Sequence, residues 1–408
     1  MAMINQQTHE QLSKVFNGLG QNLDISKSQY ETAVRSYSAV GAWLVNEDSK
    51  IALYHPEIMA QGSFLLGTLI KPINDTDDVD IDVVCRLEGK QYNWTQYDLK
   101  KCVGDRIKQN DTYRKMLDEE GRRCWTIKYS DSMQFHLDIL PSVVSSNYRN
   151  VLKEAFSKRD YTNYNELALR ITDKKRTDYQ TEINSNNWLS SNPFGYARWF
   201  LGKCTHEASF DKMLLESVNP VPNYRSEKFL LQRVVQLLKR HRDIMFHGDD
   251  EKPISIIITT LAALAYERET NLSQAINNII LKIPTFILEK YDSKAGKNVK
   301  WIANPVNPSE NFADRWIENP QKERKFYAWL ERLRNNVIKP SETGDFTKIR
   351  ESFSNAFGSN ITESAFKGLA LGSILSSSTS TLTANVPKDL HVDLPKTVPT
   401  QKREGFAL

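Results

Sequence analysis

Between Val79 and Val84 the chain reads VDIDVV, with apolar residues alternating with Asp80 and Asp82. That is the period of a strand, in which residues two apart share a face. Such a strand sets two carboxylates side by side and turns Val79, Ile81 and Val83 to the other face. Neighbouring carboxylates repel, and each raises the other's pKa unless a cation lies between them. An oxygen-only pair suits a hard divalent ion such as magnesium; an acidic edge strand beside a turn would read the same way. Gly62-Ser63 stands 17 residues before Asp80. A glycine lets backbone approach a phosphate closely, and a serine hydroxyl with nearby N–H groups donates to its oxygens. Alone, the pair is a plain turn.

A third acid, Asp138, lies in MQFHLDIL, an alternating segment from Met133 to Leu140 that Pro141 is expected to end. An Asp flanked by Leu137 and Ile139 is costly to bury unpaired. His136 and Ser142 could satisfy it, or it could join Asp80 and Asp82 as a third metal ligand. Three carboxylates around two magnesium ions can hold a triphosphate and activate a hydroxyl for in-line attack on the α-phosphate. On that reading Asp80, Asp82 and Asp138 are both catalytic and metal ligands, with manganese as the substitute ion. Gln61, Gly62 and Ser63 then bind the nucleotide's phosphates. No GxxxxGK[ST] pattern occurs, which separates the chain from P-loop nucleotidases.

The 408 residues amount to about two or three domains. A net charge of +4 gives no argument for polynucleotide binding. Cys85, Cys102, Cys124 and Cys204 show neither zinc-ligand nor disulfide spacing, so reduced thiols and a cytoplasmic location are expected. No secretory signal and no apolar run of about 18 residues is visible, so no membrane association is expected. Helical spacing runs over Tyr30 to Val45, Phe229 to Arg242, Thr270 to Leu288 with a break near Pro284, Phe326 to Ile338 and Phe346 to Phe357. ISIIITTLAALAY, from Ile254 to Tyr266, is apolar on all sides and too short to span a bilayer; it reads as a buried central helix. The expected division is a core with an N-terminal helix over 1–150, a helical lobe over 151–372 closing a cleft, and a flexible Ser/Thr/Pro-rich tail over 373–408.

The Gly-Ser pair, the acidic-x-acidic strand and the third acid together resemble the nucleotidyltransferase superfamily of DNA polymerase β. QGSFLLGTLIKP before DVDIDVV, WLSSNPFGYARWF, PISIIITTLAALAY and NPSENFADRW carry the resemblance further. Over residues 25 to 370 the chain looks like the bacterial CD-NTases, relatives of cGAS, DncV and oligoadenylate synthase in CBASS anti-phage defence, and most like the clade called CdnD. The resemblance implies an α+β fold: a polymerase β-like sheet-and-helix lobe plus an all-helical, oligoadenylate-synthase-like C-terminal lobe. It implies that ATP, with or without a second NTP, is joined through phosphodiester bonds with release of pyrophosphate. The product implied is a cyclic tri- or dinucleotide, foremost an adenine-rich cyclic trinucleotide, read by a downstream effector.

The resemblance also implies that Lys239 and Ser255 contact the donor triphosphate. By pattern, Lys239 shares the less apolar helix face with Gln232 and Gln236, where it could equally be a solvated lysine beside Arg240 and Arg242. Ser255, in the first turn of the apolar helix, could be a simple cap. Asn304 to Trp316 resembles a loop lying along the site, whose asparagines could read base edges; an ordinary Pro-Asn turn is the other reading. Tyr196 and Trp199 read as core, and Asp77-Asp78 as turn residues outside the metal set. The zinc-binding insertion of animal cGAS is missing and no basic spine is evident, so no DNA or RNA activator is expected. The tail could add as a strand to a regulator of HORMA type, or be a passive end. Two other functions share these residues: a template-free polymerase or a transferase acting on RNA, protein or a small molecule, and a non-catalytic nucleotide sensor.

Overall fold

The computed structural model describes residues 6–74, 78–129, 135–158, 161–205, 224–293 and 295–369. The tail and its expected regulator, Asp77 and most of the segment after Thr205 lie outside them. Helix α1 (Gln6–Leu23) comes first. Ser26 starts α2 (Lys27–Val45): its hydroxyl accepts from the Gln29 N–H, and the Gln29 side chain accepts from the Ser26 N–H. Then follow β1 (Glu57–Ala60), α3 (Gly62–Leu65), β2 (Val79–Glu88), α4 (Gln96–Lys108), α5 (Asp111–Met116), β3 (Trp125–Tyr129), β4 (Phe135–Val144), α6 (Tyr148–Ser157), β5 (Leu169–Ile171) and β6 (Leu189–Ser191).

The strands make one six-stranded sheet in the order β1-β2-β4-β5-β6, with β3 also on β4. At its centre β2 and β4 run parallel, and their register sets Asp82 beside Asp138 and Asp80 beside His136. The first half of β2 alternates as its sequence predicts, whereas Val83 to Leu87 are all buried. Val83 and Cys85 enter one apolar core and Val84 the other, so the strand is covered on both faces. Pro141 does not end β4. It falls where the neighbour changes from β3, last paired at Ile139, to β5, first paired at Ser142, and a missing N–H is tolerated at such a junction.

The second half holds α7 (Pro193–Cys204), α8 (Leu230–Met245), α9 (Ser255–Ala265) and α10 (Leu272–Lys282). Two two-stranded ribbons follow, β7 (Leu288–Asp292) with β8 (Lys297–Trp301), and β9 (Ala303–Asn304) with β10 (Asn307–Asn311). The chain continues through α11 (Asp314–Glu318), α12 (Pro320–Leu333), α13 (Lys339–Thr343) and α14 (Phe346–Phe357). The α+β class holds, but the lobe expected to be all helical carries these ribbons; the break expected near Pro284 is present, α10 ending at Lys282 before a 3-10 turn over Ile283–Phe286. Apolar α9 is buried on most sides, as expected.

The expected boundary at residue 150 is crossed in both directions. Strands β5 and β6 extend the sheet beyond it. Helix α1 buries Leu12, Val15, Phe16, Leu19 and Leu23 in the helical core, mainly against α8 and α10, with the Phe16 ring against Phe353 of α14. Arg233 of α8 locks that seam, donating to Gly20 O at 2.8 Å and pairing with Asp24 at 2.8 Å. Among the described residues no helix is long and apolar enough to cross a membrane, and all four cysteines are free. Arg233→Ala would leave Asp24 without its buried counter-charge. A loss of about 3 kcal/mol in urea unfolding is the expected result.

Candidate active site

The chain turns from β1 into α3 at Gly62, whose φ is +57°. A Cβ added there would stand 2.3 Å from Asp82 Oδ2. Glycine is therefore needed twice, for the left-handed backbone and for the close approach to the acid. The Gln61 N–H donates to Asp82 O at 2.9 Å, tying the turn to β2.

Past α3 the chain runs without regular structure, and α8 holds it by its carbonyls. Gln232 donates to Leu66 O at 2.8 Å, Lys239 to Thr68 O at 3.0 Å and Gln236 to Leu69 O at 2.8 Å. Arg240 donates to Lys71 O and Pro72 O. The opposite face of α8, with Leu231, Val234, Leu237 and Leu238, lies in the helical core. Lys239 is thus no solvated lysine; it is 5% exposed.

Between α8 and the sheet lies a cleft of about 460 Å³. Gly62, Ser63, Asp80, Asp82, Lys239 and Ser255 all line it. Gln61 lines an adjoining cavity of about 410 Å³ that shares Gly62, Leu66, Asp82 and Ile256 with the first. Tyr196, core in the sequence reading and 6% exposed, also forms part of its wall.

Asp138 lines neither cavity. It stands beside Asp82 on β4 and accepts from Thr126 Oγ1 at 2.5 Å. The partners that might have satisfied it instead are engaged elsewhere. His136 Nε2 lies 2.7 Å from Asp78 Oδ2, and Ser142 Oγ donates to Cys85 O.

Burial, then Asp138 and Asp80, push the Asp82 carboxyl up to about 6. Asp80, although its side chain is exposed to the cleft, is also raised, by the protein packed around it and then by Asp138, against the opposing pull of His136. Burial and Arg242 lower Lys239 to about 8. The cleft thus sets two raised acids opposite a lowered ammonium. Among the described residues, however, no three Asp, Glu, His or Cys side chains are already gathered as a metal-holding group. The Asp80 side chain is 75% exposed and lies 3.9 Å from His136 Nδ1.

Ser255 opens α9, whose N-terminus has no side-chain cap, so its first N–H groups are open to an anion. Arg242 donates to Ser255 Oγ at 2.8 Å and pairs with Asp243 at 2.7 Å. Sequence reasoning passed over Arg242, although it follows Lys239 by one helical turn on the same face. Lys71, Lys252 and Asp78 line the cleft too; Asp78, read from the sequence as a turn residue, pairs there with His136, and nothing in the sequence context of the two lysines marks them.

A family model for the Second Messenger Oligonucleotide or Dinucleotide Synthetase domain matches residues 11–161. A c-di-GMP synthase of Roseivirga ehrenbergii is 30% identical over 335 residues, covering 82% of this chain and 80% of that protein. The chain belongs to the bacterial CD-NTase family. Its members are nucleotidyltransferases, and the relatives it matches are cyclic dinucleotide synthases. The cyclic dinucleotide synthase CdnG of Bradyrhizobium diazoefficiens is 22% identical over 379 residues, 87% of this chain and 82% of that one. Its structure in complex with GTP matches with a TM-score of 0.62 at 19% identity, over 88% of this chain and 98% of that one. CdnC of E. coli MS115-1, solved in a CdnC:HORMA-deltaN complex, shares the fold with a TM-score of 0.54 at 14% identity, over 86% of this chain and 97% of that one.

Two outcomes follow from the geometry of this CD-NTase. Gly62→Ala is expected to fold and to lose at least about 100-fold in pyrophosphate release, because the added methyl displaces Asp82. Asp82→Asn is expected to stabilise the protein in EDTA while abolishing activity. A carboxyl raised in the folded state favours folding most below about pH 4, and that contribution is lost as pH rises through 6. The variant should therefore gain about 1–2 kcal/mol over wild type at pH 7.5 in urea unfolding, and the gain should vanish near pH 4.

Proposed function

We propose that this CD-NTase joins two guanosine nucleotides into a cyclic dinucleotide, releasing pyrophosphate as each bond forms. The observation that carries the reading is the single cleft shared by Gly62, Ser63, Asp80, Asp82, Lys239 and Ser255 from both halves of the chain. A dinucleotide of guanine, in place of the adenine-rich trinucleotide expected from sequence, is supported by the relatives, a c-di-GMP synthase and a CdnG solved with GTP.

The Ser63 hydroxyl and the N–H groups of its turn donate to the triphosphate from one side. Lys239, Arg242 and the open N-terminus of α9 receive it from the other. Entry of the anion restores the full charge of Lys239 and gives Arg242 an anionic partner other than Asp243. The donor set of Asp80, Asp82 and Asp138 is all oxygen, and the raised acids fit a hard cation. Two magnesium or manganese ions held by these three would neutralise the triphosphate and lower the pKa of the attacking hydroxyl. Asp138, kept in place by Thr126, accepts the proton of that hydroxyl as its oxygen bonds to the α-phosphorus and pyrophosphate leaves. A second transfer between the ends of the linear intermediate closes the ring.

On this reading residues 1–150 carry most of the transfer chemistry and 151–372 close the cleft. The enzyme works in the cytoplasm, in anti-phage defence, and its product acts on a downstream effector; the tail is the place for a regulator. Incubation with all four NTPs and magnesium, followed by mass analysis, tests it. The expected product is a cyclic dinucleotide of guanine. A linear polymer, or nucleotide attached to RNA, protein or a small molecule, contradicts it. Asp138→Asn is expected to lower the rate about 1,000-fold while GTP binding changes less than about threefold.

A further inference from the structure

The second cavity, on the far side of Asp82 from Lys239, is bordered by the ribbon of β9 and β10. Pairing in that ribbon is irregular between Asn307 and Asn311, and this stretch carries Glu310. The asparagines of this stretch, expected either to read base edges or to form an ordinary turn, are engaged with the protein. Asn311 accepts from the N–H groups of Ile302 and Ala313 and donates to Lys300 O. Asn304, 6% exposed, accepts from the Val306 N–H at 3.0 Å, which orients its amide. Its Nδ2 then donates to Glu310 Oε2 at 2.7 Å. Glu310 is thus a surface carboxylate held at the cavity by a buried amide.

A carboxylate has about four acceptor positions, and Asn304 occupies one. The basic side chain that lines the same cavity, Arg123, is already paired with Asp173 at 2.9 Å. Tyr196 and Phe312 add aromatic wall, and the volume of about 410 Å³ suits a base with its ribose.

We propose that Glu310 selects guanine at this cavity by accepting from its Watson–Crick edge. Guanine presents N1–H and an exocyclic N2–H side by side, two donors for the two oxygens of one carboxylate. Adenine presents the N1 lone pair at that place, and a carboxylate repels it. Inosine keeps N1–H but lacks the 2-amino group, so it makes half the contact. Asn304 acts through Glu310 and is a positioning residue. The inference rests on the guanine reading above and assigns it to a side chain.

The test measures kcat/KM and product base composition for wild type, Glu310→Gln, Glu310→Ala and Asn304→Ala with GTP, ITP and ATP. Wild type is expected to favour GTP over ITP about 10-fold and over ATP about 100-fold. Glu310→Ala should lose about 30-fold or more with GTP, chiefly through KM, and bring the GTP/ITP ratio to within about threefold. Glu310→Gln should fall between the two, and Asn304→Ala should weaken selection without reversing it. Thermal unfolding of each variant identifies any loss that is merely structural. A Glu310→Ala enzyme that folds and keeps both wild-type ratios overturns the assignment and leaves the guanine reading standing. A wild-type enzyme that makes no guanine-containing product overturns both, and does so before any variant is examined.

Discussion

The polar face of α8 holds the chain that follows the Gly-Ser turn, and the cleft depends on this contact. Residues 66–72 have no helix or ladder of their own, so their carbonyls need donors from elsewhere. Gln232, Gln236, Lys239 and Arg240 supply them from one helix face. The same helix is anchored in the C-terminal core by its other face and to α1 through Arg233. Movement of α8 relative to the sheet would therefore break several buried hydrogen bonds at once. The separation of Lys239 and Asp82 across the cleft is set by the element that also holds the chain after the Gly-Ser turn.

Against that fixed frame the charges are left unbalanced. Asp80 and Asp82 are raised by burial and by the company of Asp138, and Lys239 is lowered by burial and Arg242. On the proposed reading, a divalent cation and a polyphosphate would remove both distortions together, and in that sense the cleft would be preorganised for a nucleotide. Gly62 belongs to the same logic, since any side chain there would occupy the place of the Asp82 carboxylate.

Much of this was legible in the sequence because it is periodic or local. The alternation of Val79 to Val83 placed Asp80 and Asp82 on one face, and the 3.6-residue period of α8 put Gln232, Gln236 and Lys239 together. Other features were not legible, for identifiable reasons. The ribbons β7 to β10 are two to five residues long and mostly polar, as in NPSEN, so they carry no hydrophobic period. Pro141 marked a strand end that tertiary pairing overrides. That α1 meets α8 and α10 was not legible either, because amphipathicity does not name the partner. Arg242 and Glu310 were missed because single charged residues become meaningful only when the fold gives them a cavity to face.

Soaking with a non-hydrolysable GTP analogue and manganese, followed by crystallography, tests the central claim most directly, because manganese can be located by its anomalous signal. The account predicts metal between Asp80, Asp82 and Asp138, Asp80 turned away from His136, and the triphosphate touching Ser63 and Lys239 at once. Nucleotide bound elsewhere, or metal held without any of the three acids, would contradict it.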